Sequence, residues 1–167
     1  MTGNVQVDPQ YLATPHDRTI PDSSPATVAS YSHLNSVILT SVPPGSSEPL
    51  TLIQLSHAGL QSSSTINFSR PPWVRAVAPC SARPDTGTSA WGWILGRVIW
   101  PRKSRRITDF DEWLEIVERF VTAAKVVEEA GWSGVQVHSA HGYLLAEYLS
   151  PLVSLHPPHE SCQKPSI

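Results

Sequence analysis

The chain is poor in charged residues. Its low charge argues against nucleic acids and anionic membrane surfaces as binding partners. Only 16% of its 167 residues are charged, and the formal net charge is -2. So low and balanced a charge does not favour nucleic acid or an anionic membrane surface as a partner. The one basic cluster, Arg102-Lys-Ser-Arg-Arg106, is interpreted as a solvated loop before a helix rather than as a binding patch.

Cysteine and long apolar runs are also scarce. Cys80 and Cys162 can form one bridge at most and lack a CxxC neighbour, so the sequence predicts neither a disulfide framework nor a cysteine-based metal site. No apolar run reaches the roughly 18 residues that a membrane helix needs. The first residues lack the basic start and apolar block of a signal peptide. We therefore expect a cytoplasmic protein of about one domain.

The strongest periodic signal predicts a long amphipathic helix after residue 108. Thr108, with Asp111 three residues on, is typical of a helix start. Gly131 is typical of a helix end. Between them, apolar residues recur at spacings of three and four and form one stripe: Trp113, Ile116, Val117, Phe120, Ala124 and Val127.

Polar residues follow two predicted strands. The apolar run after Gly131 predicts a buried parallel strand over 134–138, and residues 51–56 predict a second strand. His138, His141 and Tyr143 lie where the first of these strands ends, and a short helix is expected near Tyr143. The order helix, strand, helix favours an α/β sheet or barrel. In barrels, the chemistry is found at the carboxyl ends of the strands.

The remaining segments show no regular pattern. Residues 1–30 are interpreted as loop and extended chain, with prolines at positions 9, 15, 21 and 25. Residues 31–50 are broken by the run Pro43-Pro-Gly-Ser-Ser-Glu-Pro49, so no helix is predicted there. Residues 58–106 have no sustained period, and a loop of that length is typical of function or disorder.

Several segments resemble the old yellow enzyme group of flavin-dependent ene-reductases, also called NADH:flavin oxidoreductases. The most specific is the block from Glu118 through the helix to Gly131, then His138-Ser-Ala-His-Gly-Tyr143, then Leu149-Ser-Pro151. Shorter segments also carry the resemblance: Thr2-Gly-Asn-Val-Gln-Val-Asp8, Leu52-Ile-Gln-Leu-Ser-His-Ala-Gly59, Phe68-Ser-Arg-Pro-Pro72 and Pro101-Arg-Lys-Ser-Arg-Arg-Ile-Thr108.

The resemblance implies a partial TIM (β/α)8 barrel that covers about strands 2–4, with long irregular loops. Residues 1–151 would form the FMN-binding barrel domain, and residues 152–167 an unstructured tail. The family has a helix between strands two and three. Residues 31–50 do not show that helix, and residues 152–167 lack the family's pattern. Both segments are interpreted as sequence read in another frame or across a misplaced exon boundary.

The resemblance also implies a site. Gln54 would hydrogen-bond the pyrimidine edge of FMN, and His138 would approach the flavin. His138 and His141 would donate hydrogen bonds to the carbonyl oxygen of an α,β-unsaturated substrate. Tyr143 would give a proton to the α-carbon after hydride from NAD(P)H has passed through the flavin. The implied partner is thus a small enone.

Other readings stay open. The chain is short for a closed barrel of about 250 residues. It is therefore either a flavin oxidoreductase or a catalytically inactive barrel remnant that cannot hold FMN alone. Open sheet edges would then favour self-association. His57, His138 and His141 could supply zinc ligands, but no HExxH motif or cysteine pair supports a metal site, and none is predicted.

Overall fold

The structure, a computed structural model, describes residues 2–150 and the side chains from residue 4 onward. The proposed tail over 152–167 lies outside the described residues. The elements follow one another as β1 (Thr2–Gln6), α1 (Pro25–Thr40), β2 (Leu52–Ser56), a 3₁₀ turn (Gly59–Gln61), β3 (Val77–Ala78), α2 (Ala90–Ile99), β4 (Arg105–Arg106), α3 (Phe110–Glu129), β5 (Gly134–Val137) and α4 (Leu144–Leu149). Among these residues no helix has the length and apolar character needed to cross a membrane.

A three-stranded parallel sheet carries the fold. Strand β2 lies in the centre and pairs in parallel with β1 on one side and β5 on the other. Ile53 and Leu55 are fully buried on the face that packs against α1 and α3. Because neighbouring residues of a strand point to opposite faces, Gln54 and its partner Gln136 lie on the other face. The α/β class with parallel strands is confirmed.

Helix α3 is confirmed, but its first residue and the exposure of Val117 differ from the prediction. Its N-cap is Asp109 rather than Thr108, because the Asp109 carboxylate accepts a hydrogen bond from the Asp111 backbone N–H at 3.1 Å. Ile116 and Val127 face the core as predicted. Val117 does not, since 47% of its surface is exposed.

Helix α1 shows that the prediction of no helix in this region was wrong. Ser24 caps it by accepting from the Thr27 N–H at 3.3 Å, and Pro25 occupies the first turn, where its missing N–H costs nothing. On its inner face, Tyr31 and Asn35 are buried. The Trp132 indole N–H donates to the Tyr31 carbonyl at 3.0 Å. The segment thus forms an ordinary crossover helix between two parallel strands.

The segment 58–106 is not structureless, which also corrects the prediction. It contains α2 and two short parallel strands, β3 and β4, that pair with each other. Strand β4 lies inside the basic cluster that was interpreted as a loop, and its Arg105 pairs with Glu112 of α3. These pieces are too short to produce a detectable period in sequence.

Strand β5 lies where predicted but is not buried. Val135 is 36% exposed and Val137 is 51% exposed. Within the described residues β5 pairs only with β2, so its other side is a free edge. The following helix, α4, begins after Tyr143 as predicted.

Candidate functional site

Polar side chains from β1, β2 and the loop after β5 meet at one place. The Asn4 amide nitrogen donates to the Tyr143 hydroxyl oxygen at 3.1 Å. The Asn4 amide oxygen accepts from the Ser56 hydroxyl at 2.9 Å and from the Gln6 amide at 3.4 Å. Asn4 is therefore held on both ends of its amide, and it fixes the position of the Tyr143 ring.

A backbone irregularity turns Asn4 toward this site. The register between β1 and β2 shifts between Thr2 and Val5, as in a β-bulge. Asn4 itself has a φ of 60°, in the left-handed region. Asparagine tolerates this region better than most residues with a side chain.

The three rings predicted from the sequence lie together. The His138 and Tyr143 rings meet edge to face, with centroids 5.0 Å apart, and the His138 and His141 centroids lie 5.1 Å apart. A short turn makes this possible: His141 has a φ of 58° and Gly142 a φ of 69°. Strand β2 fixes the backbone of His138, because the Leu55 carbonyl accepts from the His138 N–H at 2.8 Å.

The two imidazoles also contact each other. His141 Nδ1 and His138 Nε2 are 3.3 Å apart, so one of these atoms donates and the other accepts. Burial lowers the pKa of His138, and the neighbouring His141 lowers it further, so the neutral ring is favoured. For both nitrogens to donate to one external oxygen, this mutual contact has to open.

The Tyr143 hydroxyl is arranged as a proton donor. Its oxygen accepts from Asn4, and no acceptor for its own proton is recorded between residues 2 and 150. The geometry therefore leaves this proton available to a ligand.

Gln54 lies on the same face of the sheet but is paired with a residue that the sequence reasoning missed. Its amide nitrogen donates to the Gln136 amide oxygen at 2.8 Å. This leaves the Gln54 oxygen as an acceptor and the Gln136 NH2 group as a donor, side by side on adjacent strands. Such a pair fits the pyrimidine edge of a flavin, which presents donors and acceptors in alternation.

His57 does not join the other two histidines. Its Nδ1 accepts from the Gly59 N–H at 3.2 Å, and its ring stacks on Tyr11 with centroids 5.1 Å apart. Burial lowers the pKa of His57 to about 3, and the charges of Arg119 and Arg70 act in the same direction. In the described part of the chain, no group of three His, Cys, Asp or Glu residues could hold a metal ion.

The turn after β2 is anchored on α4 beneath the site. The Glu147 Oε1 atom accepts from the Leu60 N–H at 2.8 Å, and the His57 carbonyl accepts from the Leu144 N–H at 3.0 Å. Burial raises the pKa of Glu147 to about 8, although the hydrogen bond from Leu60 opposes this shift. No sequence signal pointed to Glu147, whereas Asn4 and Gln136 could have been found as polar residues inside apolar strands.

Comparison with known proteins gives consistent results. The family model described as "NADH:flavin oxidoreductase / NADH oxidase family" matches residues 47–155. The NADH-dependent flavin oxidoreductase iliE of Hypocrea jecorina is 31% identical over 153 residues, which are 90% of this chain and 36% of that protein. The NADH-dependent flavin oxidoreductase nadA of Aspergillus parasiticus is 28% identical, over 93% of this chain and 31% of its own length.

Solved structures share the fold. The old yellow enzyme from Trypanosoma cruzi matches with a TM-score of 0.63 and 22% identity, over 86% of this chain and 38% of that chain. The structure of TcOYE with pHBA matches with a TM-score of 0.65 and 22% identity, over 92% and 41% respectively. The chain thus spans about a third of the length of the curated relatives it matches.

Proposed function

Because the chain belongs to the NADH:flavin oxidoreductase / NADH oxidase family, we propose that its polar cluster is part of an FMN-dependent active site. The reaction would pass hydride from NAD(P)H through the flavin to an alkene conjugated with a carbonyl group. The observation that carries this proposal is that His138, His141 and Tyr143 lie together just after the carboxyl end of β5. Among residues 2–150, the Tyr143 hydroxyl has no acceptor for its proton. We also propose that the three main strands correspond to strands 2–4 of a barrel.

Two glutamines would hold the flavin. Gln54 and Gln136 would bind the pyrimidine edge through the free oxygen of one amide and the free NH2 group of the other. His138 would lie next to the ring system. The bound flavin supplies the hydride; the remaining steps belong to the side chains of this chain.

The histidines would bind the substrate carbonyl. Each imidazole can donate a hydrogen bond, which withdraws electron density from the conjugated alkene and stabilises the negative charge that forms on oxygen. Their mutual contact at 3.3 Å would open as the carbonyl oxygen takes its place.

Tyr143 would be the acid. Its O–H would protonate the α-carbon, while Asn4 keeps the phenol oriented by donating to its oxygen. Asn4 is then a positioning residue. Asn4→Ala should therefore lower the rate of protonation by less than Tyr143→Phe does.

The test separates the two half-reactions. Tyr143→Phe should slow alkene reduction by roughly 100-fold or more, the usual contribution of an acid, while flavin reduction by NAD(P)H keeps its rate. His138→Ala should weaken the binding of a carbonyl ligand. Equal losses in both half-reactions for Tyr143→Phe would contradict the assigned role.

A second proposal concerns the chain when it is purified by itself. Within the described residues strand β5 has a free edge with exposed Val135 and Val137, and α3 also exposes apolar residues, namely Leu114, Val117 and Val121. We propose that two copies associate through this edge. Val137→Lys should shift the sedimenting species toward monomer, with Val98→Lys, at an exposed position of α2, as the control.

The rival outcome is an inactive barrel remnant. A chain that retains FMN should be yellow, with absorbance near roughly 450 nm from the flavin. A colourless product that aggregates and takes up no FMN on dialysis would favour the inactive form over the proposed activity.

A further inference from the structure

The positive charge of the chain is concentrated in one segment. Residues 70–106 contain eight of the twelve lysines and arginines but only one of the fourteen acidic residues, Asp85. The segment therefore carries a formal charge of +7 (8 − 1), and the rest of the chain carries -9 (4 − 13), which together give the net charge of -2. The small net charge thus conceals a strongly basic region.

Backbone carbonyls hold two arginines of this segment, Arg75 and Arg83, whereas Arg105 pairs with the Glu112 carboxylate. Arg83 donates to the carbonyl oxygens of Trp100 and Pro101 at 2.9 and 2.7 Å. Arg75 donates to the carbonyls of Lys103 and Ser104, each at 2.8 Å. Carbonyl oxygens accept from the N–H groups but carry no formal negative charge of their own. The positive charge of the two arginines therefore attracts anions.

Part of this charge surrounds a cavity between the 81–87 loop and α2. The cavity has a volume of about 250 Å³, and its lining includes Arg83, Arg97 and Lys103 but no carboxylate. Trp93 lines it as well, with the Arg97 guanidinium 4.3 Å from the centre of its ring. Three cations around so small a space favour an anion with more than one charge.

The wall of the cavity is closely packed. Two glycines of α2, Gly92 and Gly96, let the loop lie directly on the helix. The Thr86 hydroxyl donates to the Gly92 carbonyl at 2.7 Å, and a Cβ at Gly96 would lie 2.5 Å from the same hydroxyl oxygen. The loop is therefore fixed against the helix, and the cations do not have to be ordered entirely by the ligand.

We propose that this cavity binds a phosphate or diphosphate group. Guanidinium groups bind phosphate through paired hydrogen bonds, and a lysine adds a point charge. Pockets for whole small molecules occupy roughly 300–1,000 Å³. A volume of about 250 Å³ therefore suits the charged group and not an entire nucleotide.

Three hydrogen bonds connect Arg83, in the wall of the cavity, to the loop of the histidine pair, and the first is the bond from Arg83 to the Trp100 carbonyl at 2.9 Å. The Trp100 indole N–H donates to the Gln61 carbonyl at 3.3 Å, and the Gln61 side chain donates to the carbonyl of His141. Two sources of the phosphate fit this position. One is the diphosphate of the pyridine nucleotide, which rests on the proposed function; the other is a free phosphorylated compound, which does not.

The test measures pyrophosphate binding to the full chain by calorimetry at constant ionic strength. Lys103→Gln and Arg97→Gln should each weaken binding by about fivefold to tenfold, because each removes one charge-assisted contact. Lys125→Gln also removes one positive charge, but at an exposed position of α3 that does not line the cavity. It should leave the affinity for pyrophosphate unchanged. Absence of binding, or equal weakening by all three variants, would overturn the proposal.

Competition then identifies the source. Displacement of pyrophosphate by NADH or NADPH, but not by nicotinamide riboside, assigns the site to the diphosphate of the dinucleotide. Displacement by simple phosphate esters with no effect of the dinucleotides assigns it to a free phosphorylated compound. Pyrophosphate binding needs no flavin, so this result is independent of whether the chain reduces alkenes.

Discussion

Glu147 provides a quantitative test of how the site is supported. The residue is 4% exposed, Oε1 accepts from the Leu60 N–H, and Oε2 has no hydrogen-bond partner among residues 2–150. Burial raises its pKa from 4.5 to about 8. The folded protein therefore favours the protonated form, whereas the unfolded chain releases the proton at lower pH.

The sign of the pH dependence follows from this difference. Below pH 4.5 both states hold the proton, and Glu147 costs nothing. As the pH rises toward 8, the unfolded state loses its proton first, so the free energy of unfolding falls. The slope is up to about 1.4 kcal/mol for each pH unit and smaller close to the two pKa values, so the loss between pH 5 and pH 8 is about 3.5 kcal/mol. That is a large part of the roughly 5–15 kcal/mol that stabilises a typical domain.

Glu147→Gln tests this reasoning. The amide oxygen can still accept from Leu60, and the amide stays neutral at every pH. We expect the difference in free energy of unfolding between the variant and the parent chain to grow in favour of the variant by about 3.5 kcal/mol from pH 5 to pH 8. The measurement is urea denaturation across this range. Glu128→Gln, at an exposed position of α3, is the control. Parallel pH curves for parent and Glu147→Gln would refute the reasoning.

Two further substitutions test the scaffold. Gly59→Ala should lower the free energy of unfolding by roughly 3 kcal/mol, because Gly59 has a φ of +57° and a Cβ would lie 2.7 Å from Glu147 Oε1. Gly45→Ala, with a φ of +85° and nothing within 4 Å, should cost only about 1 kcal/mol by urea denaturation; equal costs would contradict the close packing. Trp132→Phe should lower the free energy of unfolding by about 2 kcal/mol, because it removes the buried hydrogen bond from the indole N–H to the Tyr31 carbonyl. Trp91→Phe, at an 81% exposed position, should lose almost nothing, and equal losses here would argue against the docking of α1.

The residue patterns predicted helix α3, strands β2 and β5 and the place of the three rings because these depend on local signals, whereas strand β1 lies in a segment interpreted as loop and extended chain. The helix from residue 110, the strands around Gln54 and Val137, and the turn that brings Tyr143 back toward His138 each arise within a few residues. The resemblance added the barrel and the flavin, and the family is confirmed. The roles of the individual site residues stay predictions.

Helix α1 was missed although its signals are present in the sequence. Ser24 followed by Pro25 is a typical helix start, and Tyr31 and Asn35 are one turn apart on the buried face. The serines and the weak apolar stripe hid this pattern. The exposure of Val137 could not be predicted, because an apolar run does not reveal which strand lies at an edge.

The contacts of Asn4 and Glu147 could not be predicted either. Asn4 reaches Tyr143 across 139 positions of sequence, and Leu60 reaches Glu147 across 87. Such pairings depend on how strands and loops stack in space, which no local pattern encodes. The charged cavity was missed for a related reason: its cations come from separate stretches that only the packing of α2 brings together.

The most direct test of the proposed site is an NMR titration of the histidine side chains with FMN and then with a cyclic enone. If the three rings bind these ligands, the imidazole signals of His138 and His141 should shift together and saturate, and those of the exposed His16 and His33 should stay in place. If only the exposed histidines respond, or if His138 and His141 stay unchanged at saturating ligand, the proposed active site is wrong.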